Sequence, residues 1–203
     1  MDTKTPPQPN RILVENDGLV EFYEKVISPE TADLYFQQLM QEIAWENDRV
    51  KIFGKEFVTN RMVGWYGDEA FLYKYSNTTK TALPWTALLL EIKSMVENVS
   101  HCSFNSCLLN LYPTGEDAVG WHSDSEKELQ NNGTIAALSL GAIRRFDLKH
   151  KITKELVSID MLPGSLLLMK GETQKNWVHR ISKTKKVKDA RVSLTFRTVV
   201  SKI

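Results

Sequence analysis

The sequence predicts an α+β fold, in which N-terminal helices support an antiparallel double-stranded β-helix, or jelly-roll. Two early segments repeat apolar residues at helical spacing, and from about residue 103 the period becomes that of short strands. Turn dipeptides, Asn132-Gly133 and Pro163-Gly164, punctuate those strands. So many short strands close naturally as a jelly-roll, with the helices packed against it.

Residues 1–10 are polar and Pro-rich and read as a loose tail, leaving 11–203 as one domain. Within it 11–100 is the helical support and 101–203 the jelly-roll core. Ser28-Pro29-Glu30 is a helix start: a capping hydroxyl, a proline at the first position and an acid in the first turn. Ala32, Tyr35, Phe36, Leu39, Met40 and Ile43 then form one apolar stripe. Leu83-Pro84 opens a second helix carrying Trp85, Leu88, Leu89, Ile92 and Val96, with Asn98 as its stop. Strands are expected at 108–112, 134–140, 146–150, 156–162, 165–169 and 192–199.

A length of 203 residues suits one ordinary domain, and 42% hydrophobic with 25% charged residues excludes collagen-like, disordered and disulfide-scaffold classes. No run approaches the roughly 18 apolar residues of a membrane span, and MDTKTPPQPN has no apolar leader core. A cytoplasmic protein without membrane contact follows, or a nuclear one in a eukaryote. Nothing marks an oligomer interface, so a monomer is expected. Cys102 and Cys107 lie five apart, would point to opposite faces of a strand, and read as free thiols in a reducing compartment. The net charge of +1 hides an asymmetry: residues 1–140 hold 11 Lys/Arg against 20 Asp/Glu, and 141–203 hold 15 against 5. The basic C-terminal third points to an anionic partner, nucleic acid or a carboxylate-bearing small molecule.

The chemistry concentrates in Asn110-Leu111-Tyr112 and Gly120-Trp121-His122-Ser123-Asp124. Residues two apart on a strand share a face, so Asn110 stands beside Tyr112, and His122 with Asp124 can grip one metal. A third ligand must come from three remaining histidines. His101 sits in a Ser/Cys-rich connection, and His150 in a basic run where like charge disfavours a cation, which leaves His179. Two imidazoles and one carboxylate leave open positions on an octahedral metal, the arrangement of non-haem Fe(II) oxygenases. Such an iron needs a co-substrate, commonly the dianion 2-oxoglutarate. In Arg191-Val192-Ser193-Leu194-Thr195-Phe196-Arg197 both arginines share a face with Ser193 and Thr195. Six residues of strand span roughly 20 Å, so the two side chains leaning inward could hold opposite ends of a five-carbon diacid.

Asn-x-Tyr, His-x-Asp, a distal His and Arg-x-x-x-Thr-x-Arg in this order resemble the AlkB family of Fe(II)/2-oxoglutarate-dependent dioxygenases, which demethylate alkylated nucleobases. The resemblance extends through 134–142 and 164–169 and back to Arg61 and Trp65-Tyr66-Gly67; the first 55 residues match only in the amphipathic helix expected there. It implies Fe(II) on His122, Asp124 and His179. It implies 2-oxoglutarate on Asn110, Tyr112, Ser193, Arg191 and Arg197, with Arg191 at the distal carboxylate and Arg197 at the end near iron. Ser193 departs from the family's usual Asn, and Ser125 stands where close eukaryotic relatives carry an acid. Glu126 is implied in base recognition. The implied reaction consumes O₂ and 2-oxoglutarate, hydroxylates an N-methyl group of a 1-methyladenine or 3-methylcytosine type base, and releases formaldehyde, succinate and CO₂.

A base methylated on its pairing edge must leave the stack to reach a buried metal, which calls for aromatic walls. Trp65, Tyr66 and Tyr75 are the candidates, with Arg61 supporting the pocket and the segment before residue 100 acting as a lid. Phosphate contacts are expected at Arg144, Arg145, Lys149, Lys185 and Lys186, in the basic segments of alkylated DNA or RNA recognition. Two other classes remain: an iron and 2-oxoglutarate oxygenase acting on a protein or small molecule, and a non-catalytic jelly-roll binding module.

Overall fold

The computed structural model describes residues 7–52, 55–75 and 78–200, and side chains there except within 50–56 and 72–80. The order of elements is β1 (Arg11–Val14), β2 (Leu19–Tyr23), α1 (Pro29–Glu42), β3 (Glu46–Ile52), β4 (Lys55–Gly67), β5 (Leu72–Tyr75), β6 (Thr78–Thr81), β7 (Leu83–Pro84) and α2 (Ala87–Ser100). After α2 come β8 (Ser106–Tyr112), β9 (Val119–His122), β10 (Ile135–Gly141), β11 (Arg144–His150), β12 (Leu156–Met161), β13 (Ser165–Lys170), α3 (Thr173–Asn176), β14 (Trp177–Ile181) and β15 (Arg191–Arg197).

The last eight strands form the jelly-roll. Apart from the β11–β12 hairpin, successive strands alternate between two sheets: β13-β10-β15-β8 on one side and β12-β11-β14-β9 on the other. The first sheet is widened by strands from the N-terminal half, β1 and β2 beyond β13, and β4 and β3 beyond β8. Here the structure corrects the sequence reading. The first hundred residues are not mainly helical; among the described residues they hold seven strands and two longer helices. The reason is visible in β4, whose Met62, Gly64 and Tyr66 turn toward one packed layer while Val63 and Trp65 turn toward another. With both faces covered there is no clean apolar–polar alternation to read.

The two longer helices lie on the outer face of the larger sheet and both pack against β10. Ser28 caps α1 as expected, its hydroxyl accepting from the Thr31 amide at 3.2 Å. Ala32, Tyr35 and Leu39 of its stripe are buried, whereas Met40 turns outward. The Tyr35 hydroxyl donates to Glu91 Oε1 on α2 at 2.6 Å, tying the helices together. Thr86, not Leu83-Pro84, starts α2, accepting from the Leu89 amide at 3.2 Å. A residue before proline is pushed to extended backbone, and Leu83–Pro84 pairs in parallel with the end of β4. The stop lies three residues past Asn98, at His101, whose φ of 55° ends α2 in the left-handed region. Asn10, expected in the loose tail, is fastened to β2, its amide donating to Phe22 O at 2.9 Å.

Two cores result. One fills the space between helices and larger sheet, around Leu39, Leu89, Ile92, Leu109, Leu138 and Leu194. The other fills one end of the space between the sheets, around Phe22, Ile135, Phe146, Leu148, Met161 and Leu167. Cys107 is buried in the first core, where desolvation pushes its thiol up, and both cysteines are free. No helix among the described residues is long and apolar enough to cross a membrane.

The smaller sheet is cross-tied by one carboxylate. Asp147 on β11 accepts from Ser158 Oγ on β12 at 2.7 Å, from Arg180 Nε on β14 at 2.8 Å and from Ser182 Oγ at 2.8 Å. Burial acts to raise its pKa, but these three donors outweigh burial and hold it below the usual carboxylate range. A carboxyl held lower in the folded than in the unfolded chain stabilises the fold above its unfolded pKa, about 3.9, and loses that contribution as pH falls. Asp147→Asn is therefore expected to lower stability at neutral pH in urea titrations. The gap from the parent protein should narrow between about pH 5 and pH 2.

Candidate metal and co-substrate site

The site begins with the pairing of β8 and β15 at the centre of the larger sheet. Their register sets Tyr112 beside Arg191, Asn110 beside Ser193, Leu108 beside Thr195 and Ser106 beside Arg197. Side chains alternate, so Leu109, Leu111, Val192, Leu194 and Phe196 enter the helix-covered core while their neighbours face the smaller sheet. β4 extends the inner face with Val63 opposite Asn110 and Trp65 opposite Leu108. Between the sheets, beside the second core, lies a cavity of about 340 Å³ lined by all of these inward residues.

The smaller sheet supplies the facing wall. His122 ends β9 and His179 lies within β14, and the two residues are register partners, which brings their rings to 4.3 Å between centroids. Asp124 follows two residues later. Its Oδ1 is 3.6 Å from His122 Nε2 and 3.9 Å from His179 Nε2, and one ligand atom from each residue lies within 4.8 Å of the others. Each group is oriented by a second contact. His122 Nδ1 donates to Gly120 O at 2.9 Å, which turns Nε2 toward Asp124. His179 stacks on Phe146 at 5.2 Å. Arg197 Nη2 donates to Asp124 Oδ2 at 2.6 Å and leaves Oδ1 toward the imidazoles.

The electrostatics suit a cation. Desolvation pushes the His179 pKa down to about 3 against the opposing pull of Asp124, so the ring is neutral at physiological pH and able to donate a lone pair. Burial acts to raise the Asp124 pKa, but Arg197 and the two histidines outweigh it and keep the carboxylate ionised.

A family model, the 2OG-Fe(II) oxygenase superfamily, matches residues 19–197. The chain is 34% identical over 198 residues to the DNA oxidative demethylase ALKBH2 of Bos taurus, covering 92% of this chain and 71% of that protein. It is 37% identical over 178 residues to the alpha-ketoglutarate-dependent dioxygenase alkB homolog 3 of Bos taurus, covering 83% of this chain and 62% of that one. The chain belongs to the AlkB family of 2OG-Fe(II) oxygenases. The solved structure of OsALKBH1 shares the fold, with a TM-score of 0.63 at 13% identity over 91% of this chain and 98% of that one.

Membership in the AlkB family implies Fe(II), 2-oxoglutarate and O₂, and the residues present fit them. Two imidazoles and one carboxylate oxygen are the donor set of a non-haem iron site with open positions. Arg191 fits a diacid. It is 2% exposed, its Nε donates to Ser139 Oγ at 2.9 Å, and its Nη1 is buried without a hydrogen-bond partner. Burial draws its pKa down to about 10, which still leaves it cationic, so a carboxylate would satisfy both the charge and the idle donor. Arg197 stands at the triad and Arg191 farther along the same strand face.

The other expected residues divide. Arg61 lines the cavity, donating through Nη1 to Asn110 Oδ1 at 2.9 Å and through Nη2 to Asp48 Oδ2. Trp65 lines it too, fixed by Nε1 donating to Ser106 Oγ at 2.7 Å. Glu126 lines it beyond Asp124. Tyr66 does not: one residue from Trp65 it turns to the opposite face, buried in the helix-covered core, its hydroxyl accepting from the Ala44 amide at 3.0 Å. The Tyr75 side chain lies outside the described residues.

Arg144 is a second correction. It is 2% exposed, and its guanidinium donates to four backbone carbonyls: Thr114, Gly115, Asp117 and Ser182, at 3.0, 3.1, 2.7 and 2.8 Å. With its donors turned inward it is a loop anchor rather than a phosphate contact. Arg145, Lys185 and Lys186 are exposed, Arg145 facing Asp160 at 3.2 Å. Lys149 is half-buried, its ammonium 4.3 Å from the ring centre of Trp121, which Arg180 also approaches at 4.3 Å.

Asp48, Ser106, Ser139 and Trp121 escaped the sequence reading. Ser139 left a signal, as a lone hydroxyl inside the apolar run Ile135-Ala136-Ala137-Leu138-Ser139-Leu140, where burial demands a partner. Asp48 left none, because it meets Arg61 only through strand pairing. Asp124→Ala removes both a metal-facing oxygen and the carboxylate against buried Arg197. It is expected to abolish Mn(II) binding in calorimetric titration and to cost roughly 3–5 kcal/mol of stability, read from urea unfolding.

Proposed function

We propose that this chain demethylates N-alkylated bases, of the 1-methyladenine and 3-methylcytosine type, in DNA or RNA. The observation that carries the reading is the meeting, in one cavity, of the His122, Asp124 and His179 cluster with the buried idle donor of Arg191. The activities for which the relatives are named, DNA oxidative demethylase and alpha-ketoglutarate-dependent dioxygenase, support the reaction class.

His122, Asp124 and His179 would hold Fe(II), which with O₂ and 2-oxoglutarate supplies the oxidation that hydroxylates the N-methyl group, so that formaldehyde leaves. The chain's own work is positional. Arg197 fixes one Asp124 oxygen and keeps the carboxylate ionised. Arg191 would bind the distal carboxylate of 2-oxoglutarate, with Asn110, Tyr112 and Ser193 alongside on the same face. Burial excludes water from these charges and so strengthens each contact. Trp65 offers a flat apolar wall for an extruded base, and Glu126 an acceptor for an exocyclic amino group. Arg145, Lys149, Lys185 and Lys186 would contact phosphates.

The test is release of formaldehyde and succinate by the protein supplied with Fe(II), 2-oxoglutarate, O₂ and methylated DNA or RNA oligonucleotides. Oligonucleotide-dependent release that disappears in His179→Ala is expected. Succinate without loss of any methyl group would move the substrate elsewhere. In the same assay Arg191→Met should raise the KM for 2-oxoglutarate by about 10- to 100-fold, the worth of a charge-assisted hydrogen bond, with a much smaller change in kcat.

A further inference from the structure

The three candidate ligands arrive on two separate stretches of chain. His122 and Asp124 flank Ser123 at the end of β9, whereas His179 sits three residues past α3. Strand pairing aligns His122 with His179, but the ladder between β9 and β14 is short and its register shifts between His179 and Ile181. Asp124 lies beyond the end of β9, outside that ladder. Something else must hold Asp124 and the start of β14 at a fixed spacing.

Lys151 occupies that position. It follows β11, its backbone amide donates to Asn176 O at 2.8 Å, and its side chain reaches back between the two stretches. The ammonium donates to Gln174 O at 2.9 Å and Lys175 O at 2.8 Å, the carbonyls that α3 leaves open before His179. Its third donor reaches Ser123 Oγ at 3.3 Å, between the two ligands of the His-x-Asp pair. Gln174 completes the link, its Oε1 accepting from the Asp124 amide at 2.9 Å while its Nε2 donates to Met169 Sδ at 3.3 Å. All three acceptors on Lys151 are neutral, and desolvation lowers its pKa. A cation held in this way costs solvation and gains no ion-pair energy in return. Such a group persists where its three directed donors perform a geometric task.

We propose that Lys151 is a positioning residue which straps the His122–Asp124 segment to the turn leading into His179 and so sets the spacing of the three metal-binding atoms. This rests on the reading of the triad as the metal site. Contacts that orient metal ligands are worth about 10- to 100-fold in metal affinity.

The experiment is a Co(II) titration of the full-length protein followed by visible absorption, with thermal unfolding of each metal-free variant alongside. The parent protein should give a Co(II) spectrum that is lost in His179→Ala; absence of that spectrum in the parent would overturn both the site assignment and the strap. Lys151→Met should weaken Co(II) binding about tenfold and alter the band positions, with Lys151→Arg recovering part of the affinity. Ser123→Ala, which removes one hydroxyl and no charge, should shift Kd in the same direction and serves where Lys151→Met fails to fold. An unchanged Kd and spectrum in folded Lys151→Met, or in Ser123→Ala should Lys151→Met not fold, would overturn the proposal.

Discussion

Two neighbouring strands, β8 and β15, must be apolar on one face and polar on the other, because the sheet they share separates a dry helix-covered core from a cavity. That constraint organises the molecule. Leu109, Leu111, Val192, Leu194 and Phe196 are each at most 4% exposed and anchor the sheet to α1 and α2. Burying a side chain of this size contributes about 1.5–3 kcal/mol, so five of them hold the pair rigidly in register. The opposite face then carries Asn110, Tyr112, Arg191, Ser193 and Arg197 at fixed spacing, as pleat geometry requires. A slip of one residue would exchange the two faces and place both arginines in the core.

The second constraint is charge out of water. Removing an ion from water costs several kcal/mol after relaxation, so each buried charge here needs a partner or a purpose. Arg197 and Asp124 answer each other across 2.6 Å. Arg144 is satisfied by four carbonyls and stitches the 114–117 loop to Ser182, beside the Tyr112 ring, whose centre lies 5.7 Å from its guanidinium. Arg191 approaches the same ring at 5.3 Å and is the one of the three with an Nη donor idle in the cavity. Its incomplete satisfaction is the feature a dianionic ligand completes.

The sequence was legible where one face of an element meets water or where a cap is written locally. The α1 start at Ser28-Pro29 and six of the eight strands after α2 appeared close to their observed limits, because turns and alternation are short-range signals, whereas β9 and β14, which carry the two histidines, were not among the expected strands. The N-terminal strands were illegible, since β3 and β4 acquire their structure by joining a sheet formed by residues far along the chain. Within the site, parity alone set Asn110 beside Tyr112 and, separately, Arg191 with Ser193 and Arg197; the pairing of β8 with β15 joined the two groups. Tyr66 and Arg144 could not be sorted, because parity says which residues oppose each other but not which face looks into a cavity.

By itself the sequence determined the ligand types, their order along the chain, and which neighbours share a strand face, since the chemistry of His, Asp and Arg and the period of two are local properties. Only the tertiary structure decided which surfaces those faces meet. It brought His179 beside His122 through the pairing of β9 and β14, turned Trp65 to the cavity and Tyr66 to the core, and enclosed Arg144. It also ran Lys151 between the two ligand-bearing stretches. These outcomes depend on contacts between residues distant in sequence, and the burial that gives each charge its role exists only once both sheets have closed.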